Sequence, residues 1–325
     1  MRRFAAIVLL CITLLWGCGA PSSELEVHVI DVGQADCMLL RCGGQTLLLD
    51  GGNVEDSRLV VRYLLEQGVE ELDYVVNTHP HEDHVGGLDG VMAVFPVGAV
   101  YGTTTTYASQ CYDTFLHYVD QQGLTVRRPE PGAQLALGDA TVTFLGPCRT
   151  YAETNNTSLV LRVDFGETSF LFTGDMEQDA EADLVSSGAY LEADVLKVGH
   201  HGSSTSTSQD FLEAVHPQYG VISCGEGNSY GHPHQETLSR LEQADVQLYR
   251  TDQCGTVRIT SDGTSISFRT EHQATTEAAY IGNRNSKRFH LPTCTGLPEA
   301  QNRVIFANRE AALQAGYTPC SRCMG

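Results

Sequence analysis

The run His79-Pro80-His81-Glu82-Asp83-His84, directly after the apolar stretch Tyr74-Val75-Val76, constrains this chain more than any other feature. Three imidazoles fall within six residues, with an acid at a fixed offset. A buried strand holds its own end stiff while the turn leaving it splays side chains inward, so the cluster calls for a fold in which a strand tip opens into a site. Imidazole and carboxylate donors suit zinc, manganese or iron. With Gly86-Gly87 following, the pattern H-x-H-x-D-H reads as a metal site rather than a chance surface cluster among twelve histidines.

Two further strand ends carry donors. Leu171-Phe172-Thr173-Gly174 leads to Asp175, and Leu196-Lys197-Val198-Gly199 leads to His200-His201-Gly202-Ser203. Alone, Asp175 reads as a helix N-cap before Met176-Glu177. Together, three such clusters after three apolar strands are hard to explain without metal. Period-two and short apolar runs predict strands at 26–30, 37–40, 46–49, 74–76, 142–145, 158–165, 169–173, 194–198, 219–223, 247–249, 256–259 and 265–268. Helices are expected within 59–65, 87–95, 106–122, 177–184, 209–215 and 235–243. Strands followed by mixed units, twice over, argue for two sheets packed between helices.

The 325 residues suffice for one large domain and a small one, and 42% hydrophobic with 18% charged is ordinary globular composition. Arg2-Arg3 and the apolar stretch to Gly17 read as a secretion signal too short to span a bilayer. Residues 1–23 are therefore expected to be signal and tether. Gly17-Cys18 resembles a bacterial lipoprotein cleavage box, which would make Cys18 a lipid anchor on the extracellular face of the cell membrane. No transmembrane domain is expected in the mature chain. Six body cysteines (Cys37, Cys42, Cys111, Cys148, Cys224 and Cys254) allow fifteen pairings, and the sequence chooses none.

The order Asp31-Val32-Gly33-Gln34, Leu49-Asp50-Gly51-Gly52, Thr78 to His84, Asn155-Asn156-Thr157-Ser158, Thr173-Gly174-Asp175, Lys197 to Ser203 and Tyr230-Gly231-His232-Pro233 resembles the metallo-β-lactamase superfamily. More narrowly, it resembles the soluble hydrolase domain of the ComEC/Rec2 group of competence proteins. The resemblance implies a four-layer αββα sandwich over 24–270, with a dinuclear zinc or manganese site at one edge. By position, His79 and His81 would hold one metal, and Asp83 with His84 the second. Asp175 would bridge them, and His201 would complete the second ion. His200 would then hydrogen-bond substrate, while spacing alone does not separate the two histidines. Asn155-Asn156 stands where many members supply another histidine, so the first ion would bind more weakly or use water. His232 would orient a substrate oxyanion; His234 reads as a surface residue. The implied chemistry is a metal-activated hydroxide, aimed by Asp83 or Asp175. The hydroxyls of Ser203, Ser204 and Thr205 read as those of an ordinary polar loop.

The polar, Thr-rich stretch 271–279 reads as a linker, and 280–325 as a separate module with six basic residues against two acidic ones, in a chain of net charge −20. His290-x3-Cys294 and Cys320-x2-Cys323 give two hooks for one structural zinc, which a module this small needs for stability. A Cys320–Cys323 disulfide is the competing reading. The tail resembles the metal-binding domain of the Ada DNA-repair protein. There a cysteine at the position of His290 accepts methyl groups, so methyl transfer is not expected here, while binding to a nucleic-acid backbone is compatible with the basic tail.

Three function classes follow. The first is an exported, metal-dependent phosphodiesterase or nuclease acting on extracellular DNA in competence. The second is a hydrolase of a small ester, phosphodiester or lactam, and the third a non-catalytic DNA-capturing lipoprotein.

Overall fold

A computed structural model describes residues 23–272, 280–291, 294, 296–306 and 309–324. The expected signal, the Cys18 anchor and most of the 271–279 linker lie outside the described residues.

The body opens with β1 (Leu25–Val29), β2 (Met38–Cys42), β3 (Gln45–Leu49), α1 (Ser57–Glu66) and β4 (Leu72–Val76). The short α2 (Glu82–Val85), α3 (Leu88–Val94), β5 (Val97–Tyr101), α4 (Gln110–Gln121) and β6 (Val126–Arg127) follow. The second half holds β7 (Gln134–Leu137), β8 (Ala140–Gly146), β9 (Val160–Phe165), β10 (Thr168–Phe172), α5 (Gln178–Ser186) and β11 (Val195–Lys197). It closes with α6 (Gln209–Val215), β12 (Tyr219–Ile222), α7 (Gln235–Gln243), β13 (Gln247–Arg250), α8 (Thr251–Cys254), β14 (Val257–Ser261) and β15 (Ile266–Thr270).

One eight-stranded sheet runs β15-β14-β1-β2-β3-β4-β5-β6, and a seven-stranded sheet runs β13-β12-β11-β10-β9-β8-β7. Alternation along the strands assigns their faces. Val27, Leu40, Leu47, Phe144, Leu161 and Phe170 fill the space between the sheets. The alternate residues Leu39, Leu48 and Val75 pack outward on Val60, Val91 and Phe115 of α1, α3 and α4. Leu171, Leu196 and Ile222 pack on Leu184, Phe211 and Leu241 of α5, α6 and α7. Three apolar layers between four layers of elements make the αββα sandwich.

Strands β3, β4 and β5 are parallel, as are β10, β11, β12 and β13, so their carboxyl ends emerge together in each sheet. The His79–His84 run, Asp175 and the His200–His201 pair each follow one of these ends, after β4, β10 and β11.

The helix expected over 106–122 starts only at Gln110, because the Thr104 hydroxyl binds the Thr106 backbone and holds a turn there. Asp175 caps no helix: α5 begins three residues later with Glu177 at its N-cap. The strands β5, β6 and β7 were not expected.

The C-terminal module has its own sheet, ordered β18 (Arg303–Phe306), β16 (Tyr280–Asn283), β17 (Arg288–His290) and β19 (Thr318–Pro319), with α9 (Arg309–Gln314). Among the described residues its apolar cluster is small: Phe289, Phe306, Ala312 and Tyr317, with a few partly buried neighbours.

Candidate metal centre

The turn after β4 delivers His79 fully buried, His81 and Asp83 half-buried, and His84 fully buried in α2. Gly86 and Gly87 let α2 lie against the loop after β3: a Cβ on Gly87 would sit 2.2 Å from the Gly51 carbonyl oxygen. This close approach puts Asp50 under His84. The Asp50 carboxylate accepts hydrogen bonds from His84 Nδ1 at 2.9 Å, from the Thr78 amide and hydroxyl at 2.7 Å each, and from Asn77 Nδ2 at 3.2 Å. With its Nδ1 proton so engaged, His84 turns a free Nε2 inward.

Asp175, from the loop after β10, is the meeting point. Its Oδ1 lies 3.3 Å from His84 Nε2. Its Oδ2 lies 4.0 Å from His79 Nε2, 3.7 Å from His200 Nε2 and 3.6 Å from His201 Nε2. Asp83 Oδ2 stands 3.3 Å from His201 Nε2, and His79 Nε2 faces His81 Nδ1 at 3.1 Å. His201 Nδ1 donates to the Ser223 carbonyl at 3.1 Å, which again leaves Nε2 pointing inward.

The arrangement fits cations. His84 Nε2, His201 Nε2 and Asp175 Oδ1 are buried and have no hydrogen-bond partner in the protein, an expensive state unless something else is bound there. Donor atoms of Asp83, His84, Asp175 and His201 all lie within 4.8 Å of one another. Burial pushes His79 well below the usual imidazole range, with the neighbouring His84 adding to the shift, so it is a neutral donor. Burial alone would favour neutral His84 too, but the carboxylates of Asp175, Asp50 and Asp83 outweigh it and drive this ring well above the usual range. Burial likewise opposes charge on Asp175, yet His84 and His201 hold its carboxyl well below the ordinary value.

A second cluster, Asp36 with Asp50 and His84, lies beneath. Here the positive charge is already supplied, because Lys197 Nζ sits 2.9 Å from both Asp36 oxygens, all of it buried. Asp36, Asp50 and Lys197 escaped the sequence reading as supports. A lysine inside an apolar strand was the available signal.

His232 is half-buried on the cleft. The amide of Gln34, fixed by the Gly225 N–H at 3.1 Å, donates to its Nδ1 at 3.2 Å, so the neutral ring carries its proton on Nε2. Burial, then the adjacent His200 and His201 rings, lower it to about 4, so it stays neutral at physiological pH. Tyr230, 68% exposed, stacks on it with ring centroids 5.7 Å apart. His234 is more than a surface residue: its Nδ1 accepts from the Ser204 amide at 2.9 Å and ties two site loops together. Ser203, Thr205 and Glu177 bond one another, so their hydroxyls serve the loop. All of these groups face, or lie under, one open cleft of about 1160 Å³, also lined by Asn155, Asp31, Glu55, Asp56 and Glu82.

In the module, His290, Cys294, Cys320 and Cys323 converge within 4.8 Å, and His290 Nδ1 lies 3.4 Å from Cys294 Sγ. The backbone N–H of Arg322 lowers the Cys320 thiol, favouring the thiolate a zinc ion takes. These cysteines are free, as are the six in the body, so the Cys320–Cys323 disulfide is not formed.

Comparison with known proteins agrees with this architecture. The profile of the metallo-beta-lactamase superfamily matches residues 30–226, and that of the metal binding domain of Ada matches residues 267–324. The chain belongs to the metallo-beta-lactamase superfamily and carries an Ada-like zinc-binding domain. It is similar to ComE operon protein 3 of Bacillus subtilis, 31% identical over 256 residues (73% of this chain, 33% of that protein). Competence protein ComA of Neisseria gonorrhoeae is 35% identical over 241 residues (73% and 32%). The chain thus spans about a third of the length of the curated relatives it matches. Among solved structures, the metallo-beta-lactamase fold protein YhfI of Bacillus subtilis superposes with TM-score 0.50 at 15% identity, covering 74% of this chain and all of that one, a likeness of fold. No helix among the described residues is long and apolar enough to cross a membrane.

Proposed function

We propose that the chain is an exported, metal-dependent hydrolase that cleaves phosphodiester bonds of DNA outside the membrane, in the setting of competence. The observation that carries this reading is the set of unpartnered, buried donor atoms converging on Asp175. His79, His81 and Asp175 would hold one divalent cation, and Asp83, His84, Asp175 and His201 the other. Zinc or manganese bound there would activate water and compensate charge on the attacking and leaving oxygens. Asp83 or Asp175 would accept a hydrogen bond from the attacking water and aim it. His232, neutral and protonated on Nε2, would donate to an oxygen that gains charge as the ester bond breaks. The exposed Tyr230 offers a face on which a nucleobase can stack. His290, Cys294, Cys320 and Cys323 would hold the structural zinc, and Cys18 would carry the lipid anchor.

The acidic lining of the cleft by Asp31, Glu55, Asp56 and Glu82 favours a second reading, hydrolysis of a small diester or ester, since a long polyanion meets repulsion there. One experiment separates them. Full-length protein loaded with Mn²⁺ or Zn²⁺ is offered single- and double-stranded DNA beside a panel of chromogenic diesters, esters and lactams. DNA cleavage weakened by Tyr230→Ala, with small-diester turnover intact, supports the first reading; turnover of the panel alone supports the second. Inertness toward both would sink the hydrolase.

A further inference from the structure

We infer that His200 is a metal ligand, the fourth protein donor to the cation held by His79, His81 and Asp175, rather than a side chain that touches substrate. The inference rests on the two-cation reading above and adds to it the role of this residue.

The backbone comes first. His200 and His201 both occupy the left-handed region, with φ of 50° and 53°. Non-glycine residues rarely adopt it, and two in a row persist only where the surrounding structure enforces them. In a strand or helix, consecutive side chains diverge. Here they converge: the two Nε2 atoms lie 3.7 and 3.6 Å from the same oxygen, Asp175 Oδ2. The strained turn delivers a second imidazole to the shared carboxylate.

The ring's other nitrogen is anchored as in its neighbours. His84 Nδ1 is held by Asp50, His201 Nδ1 by the Ser223 carbonyl, and His79 Nδ1 lies 3.2 Å from the Thr78 hydroxyl. His200 Nδ1 lies 3.4 Å from Glu177 Oε1 and 3.3 Å from the Thr205 hydroxyl, which itself donates to Glu177. An oxygen acceptor on one imidazole nitrogen is what fixes the tautomer and aims the other nitrogen at a metal.

Donor count agrees. His79, His81 and Asp175 supply three donors, one short of a tetrahedral set. With bonds of about 2.0–2.2 Å, donors sharing an ion stand roughly 3–4 Å apart. Three of the six separations within this set, 3.1 Å (His79–His81), 4.0 Å (His79–Asp175) and 3.7 Å (His200–Asp175), fall in that range. Asn155, whose Nδ2 is 3.5 Å from His200 Nε2, is the competing donor, and an amide is the poorer ligand for zinc.

The test reads metal rather than turnover. Full-length wild type, His200→Gln, Asn155→Ala and His232→Ala are loaded with Mn²⁺, desalted, and measured for manganese content and paramagnetic-resonance spectrum. The module's thiolate-rich cluster prefers zinc and adds nothing to that spectrum. Wild type should hold two Mn²⁺ with a spin-coupled signal. His200→Gln should keep one tight ion, lose the coupling and bind the other roughly 10–100-fold more weakly, while Asn155→Ala and His232→Ala keep both. Glu177→Gln leaves the ring but removes its anchor, and should weaken the same ion even if His200→Gln folds poorly. Two coupled ions retained in both His200→Gln and Glu177→Gln would overturn the assignment. Fewer than two in wild type would overturn the two-cation reading and this assignment with it.

Discussion

Asp50 holds His84 in the tautomer that frees Nε2, and among the described residues no other carboxylate reaches that ring's Nδ1. Replacing it with Asn keeps the shape and removes the charge. Metal affinity of the body should fall about 10–100-fold, measured by competition with a chromogenic chelator. Asp36 and Lys197 form the next support down. Lys197→Met would strand a buried carboxylate, and urea unfolding should show a loss of about 3–5 kcal/mol. Away from the site, burial, with help from Arg258 and Arg41, lowers His28 to about 4. Glu26, 3.4 Å from its Nε2, is 39% exposed and shared with Arg41, so it does not reverse that shift. The unfolded chain protonates near pH 6.5 while the folded ring stays neutral. Stability from this group is therefore full above pH 6.5 and lost as pH falls toward 4. Between pH 7.5 and 5.0 the wild type should lose on the order of 2 kcal/mol more than His28→Asn, read from urea midpoints at the two pH values.

At the scale of elements, the site depends on loops after β3, β4, β10 and β11 meeting at one rim. The contact between Gly87 and Gly51 sets how closely α2 approaches. Gly87→Ala should destabilise the body by about 1–3 kcal/mol in urea titration, since the new methyl meets a backbone carbonyl rather than a flexible side chain. Strands carrying apolar runs before these loops were readable from periodicity, and with them the places where Asp175 and His201 would emerge. α6 and α7 were readable to the residue. Less visible were β6, two residues long, and β7, a short edge strand reading Gln134-Leu135-Ala136-Leu137, whose existence comes from pairing with a neighbour rather than from their own composition. The roles of Asp50 and Asp36 were hidden for a related reason. Asp50 supports His84 and Asp36 pairs with Lys197, each far away in sequence, and only tertiary contact reveals which.

Body and module differ in what holds them. Three apolar layers sustain the body, whereas among the described residues the module has one small apolar cluster beside its one imidazole and three thiols. Stripping metal with a strong chelator should abolish a separate calorimetric transition of the module and leave the main transition of the body in place. If both transitions vanish together, the two parts do not fold independently. Every donor of the body leaves from one rim of the sandwich, and this has a practical consequence for engineering. The helix-to-strand turns at Gly68 and Gly123 belong to the opposite rim and have nothing within 4 Å of a built side-chain carbon. A reporter or affinity handle spliced into either should leave the metal centre intact, whereas the same insertion between Gly199 and Gly202 should disrupt it.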